Sequence, residues 1–242
     1  MIITDRTVLV TGANRGIGQA LVEEALRRGA KRVYAAARRP LAHPDGRATP
    51  VTLDVTSVDQ VKAAVRSVES LDVLINNAGV ARPDDLSDQS TLEHHLAVNL
   101  FGTYRVTQEF VPLLTRSRGA IVNVLSLAAL ATVPITPAYA ISKAAAFSLS
   151  QSLRVLLARH GVTVHAALPG PVDTEMIRSW DIPKASPADV ARAILDGVES
   201  GEDEIFPDPL SAALAEGWRN GVVKALERQN AAMLDAMPVG AN

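Results

Sequence analysis

Short β-rich runs alternate with longer helical patterns along the chain, and few folds accept that alternation. Thr7–Val10 is an apolar run of strand type. Gly18 to Arg28 then carries Leu21, Val22, Ala25 and Leu26 at helical spacing, and Gly29 ends the pattern. Val33–Ala37 and Val51–Leu53 read as the next strands. A helix is expected from about Ser57 to Val68, with Val58, Val61, Ala64, Val65 and Val68 on one face. Asp72–Asn76, Ala120–Val124 and Val162–Ala167 are further strands, and Glu204–Phe206 is a short last one. Thr103 to Thr115, Ala138 to Arg159 and Pro187 to Glu199 read as helices, and Pro209 to Met237 as mostly helical. The strands are apolar on both faces, which is the pattern of a parallel sheet covered by helices on each side. The expected class is therefore α/β, with a doubly wound parallel sheet and ligands at the carboxyl ends of its strands.

The chain has 242 residues, a length that suits one large α/β domain. No linker, repeat or low-complexity segment divides it, and Leu41–Thr49 and Asp85–Asp88 are loops too short to part domains. One domain over 1–242 is the simplest account. The formal net charge of −2 creates no field that would favour nucleic acid or an anionic membrane. Cysteine is absent, which excludes disulfides, thiolate metal sites and a cysteine nucleophile. No run of about 18 apolar residues predicts a membrane span. The N-terminus reads as a strand rather than a signal peptide, so a cytoplasmic location is expected. His94 and His95 read as surface residues, because no third ligand has suitable spacing, and no metal is expected. His160 and His165 flank a strand without a catalytic partner.

The first strand runs into Thr11-Gly12-Ala13-Asn14-Arg15-Gly16-Ile17-Gly18. Glycines suit a turn where backbone must bend tightly and approach a pyrophosphate closely. The following helix would aim free N–H groups and its positive dipole end at the phosphates. The bland alternative is a tight strand–helix turn with no ligand, but a position between the first strand and first helix argues against it. An acidic residue at the end of the second strand would bind a ribose 2′-hydroxyl and repel a 2′-phosphate. The position 37 − 18 = 19 residues past Gly18 is Ala37, followed by Arg38 and Arg39. Arg15 faces the same neighbourhood. Guanidinium groups around one phosphate give charge-assisted contacts, so NADP(H) is expected over NAD(H). Ordinary solvated arginines are the competing account.

Tyr139 and Lys143 are 143 − 139 = 4 residues apart and share one helical face. An adjacent ammonium favours the phenolate and would bring proton exchange nearer neutral pH. Tyr-x-x-x-Lys also arises by chance as a surface pair, but this helix is crowded with small apolar residues, where a buried lysine needs a reason. Ser126 lies just past the strand Ala120–Val124. Its hydroxyl either polarises a substrate carbonyl or satisfies a local turn, and the residues alone leave both open.

Together these residues resemble the short-chain dehydrogenase/reductase family, in its single-domain branch of about 250 residues. The resemblance covers nearly the whole chain and implies a Rossmann-like fold. The family's T-G-x-x-x-G-x-G turn stands here as Thr11 to Gly18, with Gly12, Asn14, Arg15, Gly16, Ile17 and Gly18 toward the cofactor. Its N-N-A-G motif is Asn76-Asn77-Ala78-Gly79. Asp54-Val55 matches the dipeptide that borders the adenine. Its catalytic asparagine, serine, tyrosine and lysine match Asn99, Ser126, Tyr139 and Lys143. Its P-G motif is Pro169-Gly170, followed by Val172 and by Thr174 at the nicotinamide end. Two departures stand out. Leu125 precedes Ser126 where the family usually has a serine pair, and the lid near 171–186 is short, which suggests an open site.

The resemblance implies a mechanism and partners. NADPH would deliver hydride to a carbonyl carbon while Ser126 holds the oxygen and Tyr139 donates its proton. Lys143 would lower the tyrosine pKa and bind the nicotinamide ribose. Asn99 would interrupt a helix and hold a water linking Lys143 to solvent; a helix-capping asparagine is the competing account. The substrate is expected to be a small ketone or aldehyde, with a 3-oxoacyl thioester or a steroid as alternatives within the family. A non-catalytic NADP(H) sensor is the alternative outside it. A homodimer or homotetramer is expected, because Thr103–Thr115 and Ala138–Arg159 are more apolar than one buried face requires.

Overall fold

The computed structural model describes residues 1–236. The strands are Thr7–Thr11 (β1), Arg32–Ala37 (β2), Ala48–Thr52 (β3), Val73–Asn76 (β4), Ala120–Val124 (β5), Thr163–Ala167 (β6) and Glu204–Ile205 (β7). They form one seven-stranded sheet in the order β3-β2-β1-β4-β5-β6-β7, and every pairing is parallel. The chain thus winds one way from β1 and then the other, with the switch between β1 and β4. This is the doubly wound Rossmann-like arrangement that the alternation predicts, and its ligand crevice belongs at that switch.

β1, β4 and β5 are buried along their whole lengths, as central parallel strands must be. The edge strand β3 departs from the expectation of two apolar faces. Only Ala48 and Val51 are buried, and it carries Pro50, whose missing N–H is tolerated at an edge.

The helices are Gly16–Arg27 (α1), Val58–Ser67 (α2), Gln89–His95 (α3), Thr103–Ser117 (α4), Pro137–Ala158 (α5), Pro187–Ser200 (α6), Pro209–Arg219 (α7) and Val222–Ala236 (α8). Leu21, Val22 and Ala25 of α1 pack with Val190, Ile194 and Val198 of α6 over one sheet face. Val61 and Ala64 of α2, Val106 and Phe110 of α4, and Leu153 and Leu157 of α5 cover the other. Val58 was expected on the buried face of α2 but is 47% exposed at its first turn. The tail folds back as α7 and α8, while the expected helix end at Met237 lies outside the described residues. Trp218 of α7 packs edge-on against Phe147 of α5.

α3 is absent from the sequence expectation, which holds only that Asn99 interrupts a helix. Leu96–Gly102 winds as a π-helix between α3 and α4, and Asn99 sits inside it. Such bulges are rare and gather at functional sites. His95, expected on the surface, is fully buried, and its ring bonds the Thr91 carbonyl and the Arg82 amide. A buried imidazole is tolerated inside a fold when both nitrogens find partners. His165 is also buried, between Glu202 O and Thr163 Oγ1. His94 is exposed, as expected.

Buried charge ties α1 to α6. Arg28 reaches Glu24 at 2.8 Å, Asp196 at 2.7 Å and Glu199 at 2.9 Å, and Arg27 also clasps Glu24. The Arg27 hydrogen bonds, with those and the charge of Arg28, hold the Glu24 carboxyl at about 2 against the pull of burial. The unfolded chain therefore takes up a proton near pH 4.5 while the folded chain resists until about pH 2. Stability from this group is complete above about pH 4.5 and drains away as the pH falls toward 2. Urea unfolding across that window should show a falling limb in the wild type. Glu24→Gln should flatten the limb and lower stability at neutral pH by about 1–3 kcal/mol.

Candidate active site

The switch point is built around Thr11. Its hydroxyl accepts the amides of both Asn77 and Ala78 at 3.0 Å, and the Asn77 side chain returns a bond to the Thr11 carbonyl at 2.9 Å. β1 and β4 are thereby locked at their carboxyl ends. Asn77, expected to meet a cofactor, spends its amide on this lock.

The glycine turn is held at backbone contact distance. A Cβ on Gly18 would lie 2.2 Å from the Gly12 carbonyl oxygen, and one on Gly12 would lie 2.9 Å from Ala78 Cα. Gly12 and Gly16 also take positive φ. Arg15 caps α1 from an extended conformation without a side-chain bond, and no acidic residue stands in the first turn. The leading N–H groups of α1 are thus left toward solvent, the form that accepts a pyrophosphate.

A cleft of about 1840 Å³ opens over this turn. Gly12, Asn14, Arg15, Gly16, Ile17 and Gly18 form its floor. Arg38, Arg39, Asp54 and Val55 form one end, with Asn77, Ala78 and Gly79 along the wall. Tyr139 and Lys143 line the cleft as well, and Thr174 lies against the turn, its Cγ2 3.1 Å from where a Cβ on Gly16 would sit. Arg38 and Arg39 are exposed. Burial works to raise the Asp54 carboxyl, but bonds from Thr56 and the charge of Arg38 outweigh it and keep it below its usual value.

The remaining expected residues stand outside the cleft lining. Asn99 is buried one layer behind Gly79. Its Oδ1 accepts the Val80 amide, and its Nδ2 donates to the Val80 carbonyl and to Ser142 Oγ, each at 2.9 Å. Its side chain does not cap a helix; it lies within the π-helical stretch, where the resemblance implies an interrupted helix. The Gly170 amide donates to Asp208 Oδ2 at 2.7 Å, which ties the Pro169-Gly170 turn to the start of α7. Val172 is buried and bridges Ala185. Ser126 is half-buried, and its Oγ accepts the Ala128 amide at 3.1 Å, so its turn role is real.

Two findings alter the electrostatics. Lys143 is 5% exposed, and its ammonium donates to the Val124 carbonyl at 2.9 Å. Burial without a carboxylate partner pulls it down to about 8. Its Nζ lies 5.7 Å from the centre of the Tyr139 ring. Burial pushes the Tyr139 phenol up, with a side-chain bond from Ser126 acting the other way. The expected lowering of the tyrosine by Lys143 does not emerge, because desolvation dominates both groups.

The cleft also holds residues the sequence expectation lacked. Val98 and His94 line it one helical turn apart, and Glu175 ion-pairs with Arg15 across its mouth. The His94 and Val98 spacing was readable once α3 was known. Nothing local in the sequence marks Glu175, since its partner is 175 − 15 = 160 residues away.

Comparison with known proteins agrees with this geometry. Residues 6–184 match the model of the short chain dehydrogenase family. Oxidoreductase UcpA of Salmonella typhimurium is 34% identical, with 90% of this chain and 93% of that protein covered. Short-chain dehydrogenase PC-15 of Penicillium crustosum is 40% identical over 72% of this chain and 68% of its own length. A short chain dehydrogenase from Burkholderia cenocepacia J2315, solved in complex with NADP, superposes with a TM-score of 0.87 at 37% identity, covering 95% of this chain and 98% of that one. With the sheet order, the glycine turn and the Tyr139–Lys143 wall on one crevice, these matches mean that the chain belongs to the short-chain dehydrogenase family.

Proposed function

We propose that the chain is an NADP(H)-dependent oxidoreductase that moves a hydride between the nicotinamide and a carbonyl or alcohol carbon, working chiefly as a ketone or aldehyde reductase. The observation that carries this reading is a single cleft lined by both the glycine turn and the Tyr139–Lys143 pair. The NADP complex of the Burkholderia relative supports the choice of cofactor. The segment 171–186 serves as the lid over the substrate.

Bound NADPH supplies the hydride. As the carbonyl carbon gains it, the carbonyl oxygen must gain a proton, and Tyr139 donates that proton from its phenol. A phenol raised by burial keeps its proton at neutral pH, the state a donor needs. Ser126 holds the oxygen through its hydroxyl. The Lys143 ammonium, 5.7 Å from the ring centre, would offset the charge of the phenolate left behind and, titrating near 8, can return a proton. Asn99 positions the wall: through Ser142 and Val80 it joins the helix of Tyr139 to the strand end behind Gly79. The reverse reaction, alcohol oxidation, uses the same groups.

Arg15 and Arg38 would hold the 2′-phosphate, and Arg15 is the one of the two that also pairs with Glu175. Homo-oligomer formation through α4 and α5 fits their outer faces, where Tyr104, Ile141 and Leu156 are 47%, 42% and 52% exposed.

The function is tested by NADPH consumption over aldehydes, ketones, 3-oxoacyl thioesters and steroids, repeated with NADH. Turnover of a ketone or aldehyde with NADPH is expected. Tyr139→Phe should lower kcat by about 10²–10⁴-fold while NADPH still binds, as read by its fluorescence. Near-normal turnover in that variant would sink the assignment. Arg38→Asp combined with Arg15→Ala should move the NADPH-to-NADH ratio of kcat/KM toward NADH by about tenfold or more, the weight of one charge-assisted contact. An unmoved ratio would show that these arginines do not read the phosphate.

A further inference from the structure

The helix that carries Tyr139 begins without a side-chain cap from its own residues. Thr136 stands at the cap of α5 but makes no side-chain bond, Pro137 follows, and the first turn holds no acidic residue. Proline has no N–H, so the amide of Ala138 is the first donor the helix presents. Its partner comes from a loop 138 − 84 = 54 residues earlier. Both carboxylate oxygens of Asp84 accept the Ala138 amide, at 3.2 and 3.3 Å, and the Asp84 amide donates to the Ile135 carbonyl at 3.2 Å. A carboxylate at this point also complements the helix dipole.

The loop that brings Asp84 is itself pinned from below. The buried ring of His95 accepts the Arg82 amide on Nε2 at 3.1 Å, two residues before Asp84. Its Nδ1 donates to the Thr91 carbonyl at 2.7 Å, which fixes the tautomer that leaves Nε2 as an acceptor. The same ring stands edge-on to the Tyr139 ring, with centroids 6.5 Å apart. α3 was missing from the sequence expectation, and this arrangement gives it a task.

From this geometry we infer that Asp84 and His95 are positioning residues for Tyr139. Asp84 caps the first turn of α5 one residue before the tyrosine, and His95 anchors the Asp84 loop while bracing the tyrosine ring. The inference rests on the proton-transfer role proposed for Tyr139. Neither residue is a cleft-lining group among the described residues, so neither touches cofactor or substrate directly. Their effect is on where the phenol stands, and small displacements of a reacting group weigh heavily on rate.

Three variants test it, assayed with NADPH and the fastest carbonyl of the panel above. Asp84→Ala removes the cap. Asp84→Asn keeps a side-chain oxygen that can accept the Ala138 amide. His95→Phe keeps a ring edge-on to Tyr139 but offers Arg82 no acceptor. Asp84→Ala should lower kcat by about 10- to 100-fold, leave NADPH affinity unchanged and speed hydrogen exchange at Ala138–Ile141. Asp84→Asn should restore most of kcat and the slow exchange, and His95→Phe should move both in the direction of Asp84→Ala. An unchanged kcat in Asp84→Ala overturns the inference. So does equal loss in the alanine and asparagine variants, or a collapse of NADPH binding alongside kcat, which would mark Asp84 as a general structural residue. If Tyr139→Phe retains turnover, the functional reading falls instead, while the exchange of the first turn of α5 still reports on the clamp.

Discussion

The contact between Gly18 and the Gly12 carbonyl sets what the rest of the molecule can be. No side chain fits there, because its first carbon would lie 2.2 Å from a backbone oxygen. Only that closeness lets α1 start directly over the end of β1, with its free amides turned to the crevice. Thr11 and Asn77 then bind this turn to the end of β4, so the turn and the start of the Tyr139 wall share one rigid frame. That close approach sits at the sheet's switch between β1 and β4, where the cleft opens.

Chemistry in the frame depends on polar groups whose partners come from far along the chain. Asn99 fastens Val80, 19 residues before it, to Ser142, 43 residues after it. The π-helical winding at Leu96–Gly102 is what brings the Asn99 amide to that junction, with Thr103 Oγ1 donating to its carbonyl at 3.0 Å. Such a winding breaks the regular helical ladder, and proteins keep that disruption where a side chain or carbonyl is needed out of register.

How much of this was legible in the sequence depends on the range of the interaction. The strands and most helices were readable because apolar periodicity is a local property, and so was the glycine turn, whose residue types answer a local steric need. Tyr139 and Lys143 were readable as a pair four apart, and the cleft does contain both. α3 was not readable: its first turn is polar, its only fully buried side chain is His95, and no apolar stripe announces it. The burial of His95 depends on the Arg82 amide, and the cap on α5 depends on Asp84, two non-local partners that periodicity cannot supply. The same holds for Arg15, whose exposed charge looked free for a phosphate but meets Glu175 across the cleft mouth. The expected fall in the Tyr139 pKa failed for a related reason. Spacing reveals the neighbouring ammonium but not the depth of burial, and burial has the larger effect.

Two buried lysines make the distinction between structure and chemistry concrete. Lys224 is 4% exposed and meets Asp203, Glu204 and Glu227 at about 3 Å. Burial alone would lower it, but the bond and charge of Glu204 outweigh that and its pKa is raised. It stays a cation, and with Arg154 and the bond from Trp218 to Glu204 it fastens α7 and α8 to the edge of the sheet. Lys143 is 5% exposed and has one carbonyl, no carboxylate, and a pKa of about 8. A fold that needed only a fastening cation there would have supplied it with an anion, as it did for Lys224. An ammonium buried with spare donors beside a phenol is costly to hold and ready to exchange a proton. That imbalance separates Lys143 from Lys224 and, beside the four-residue spacing, supports the proton-transfer role proposed for it.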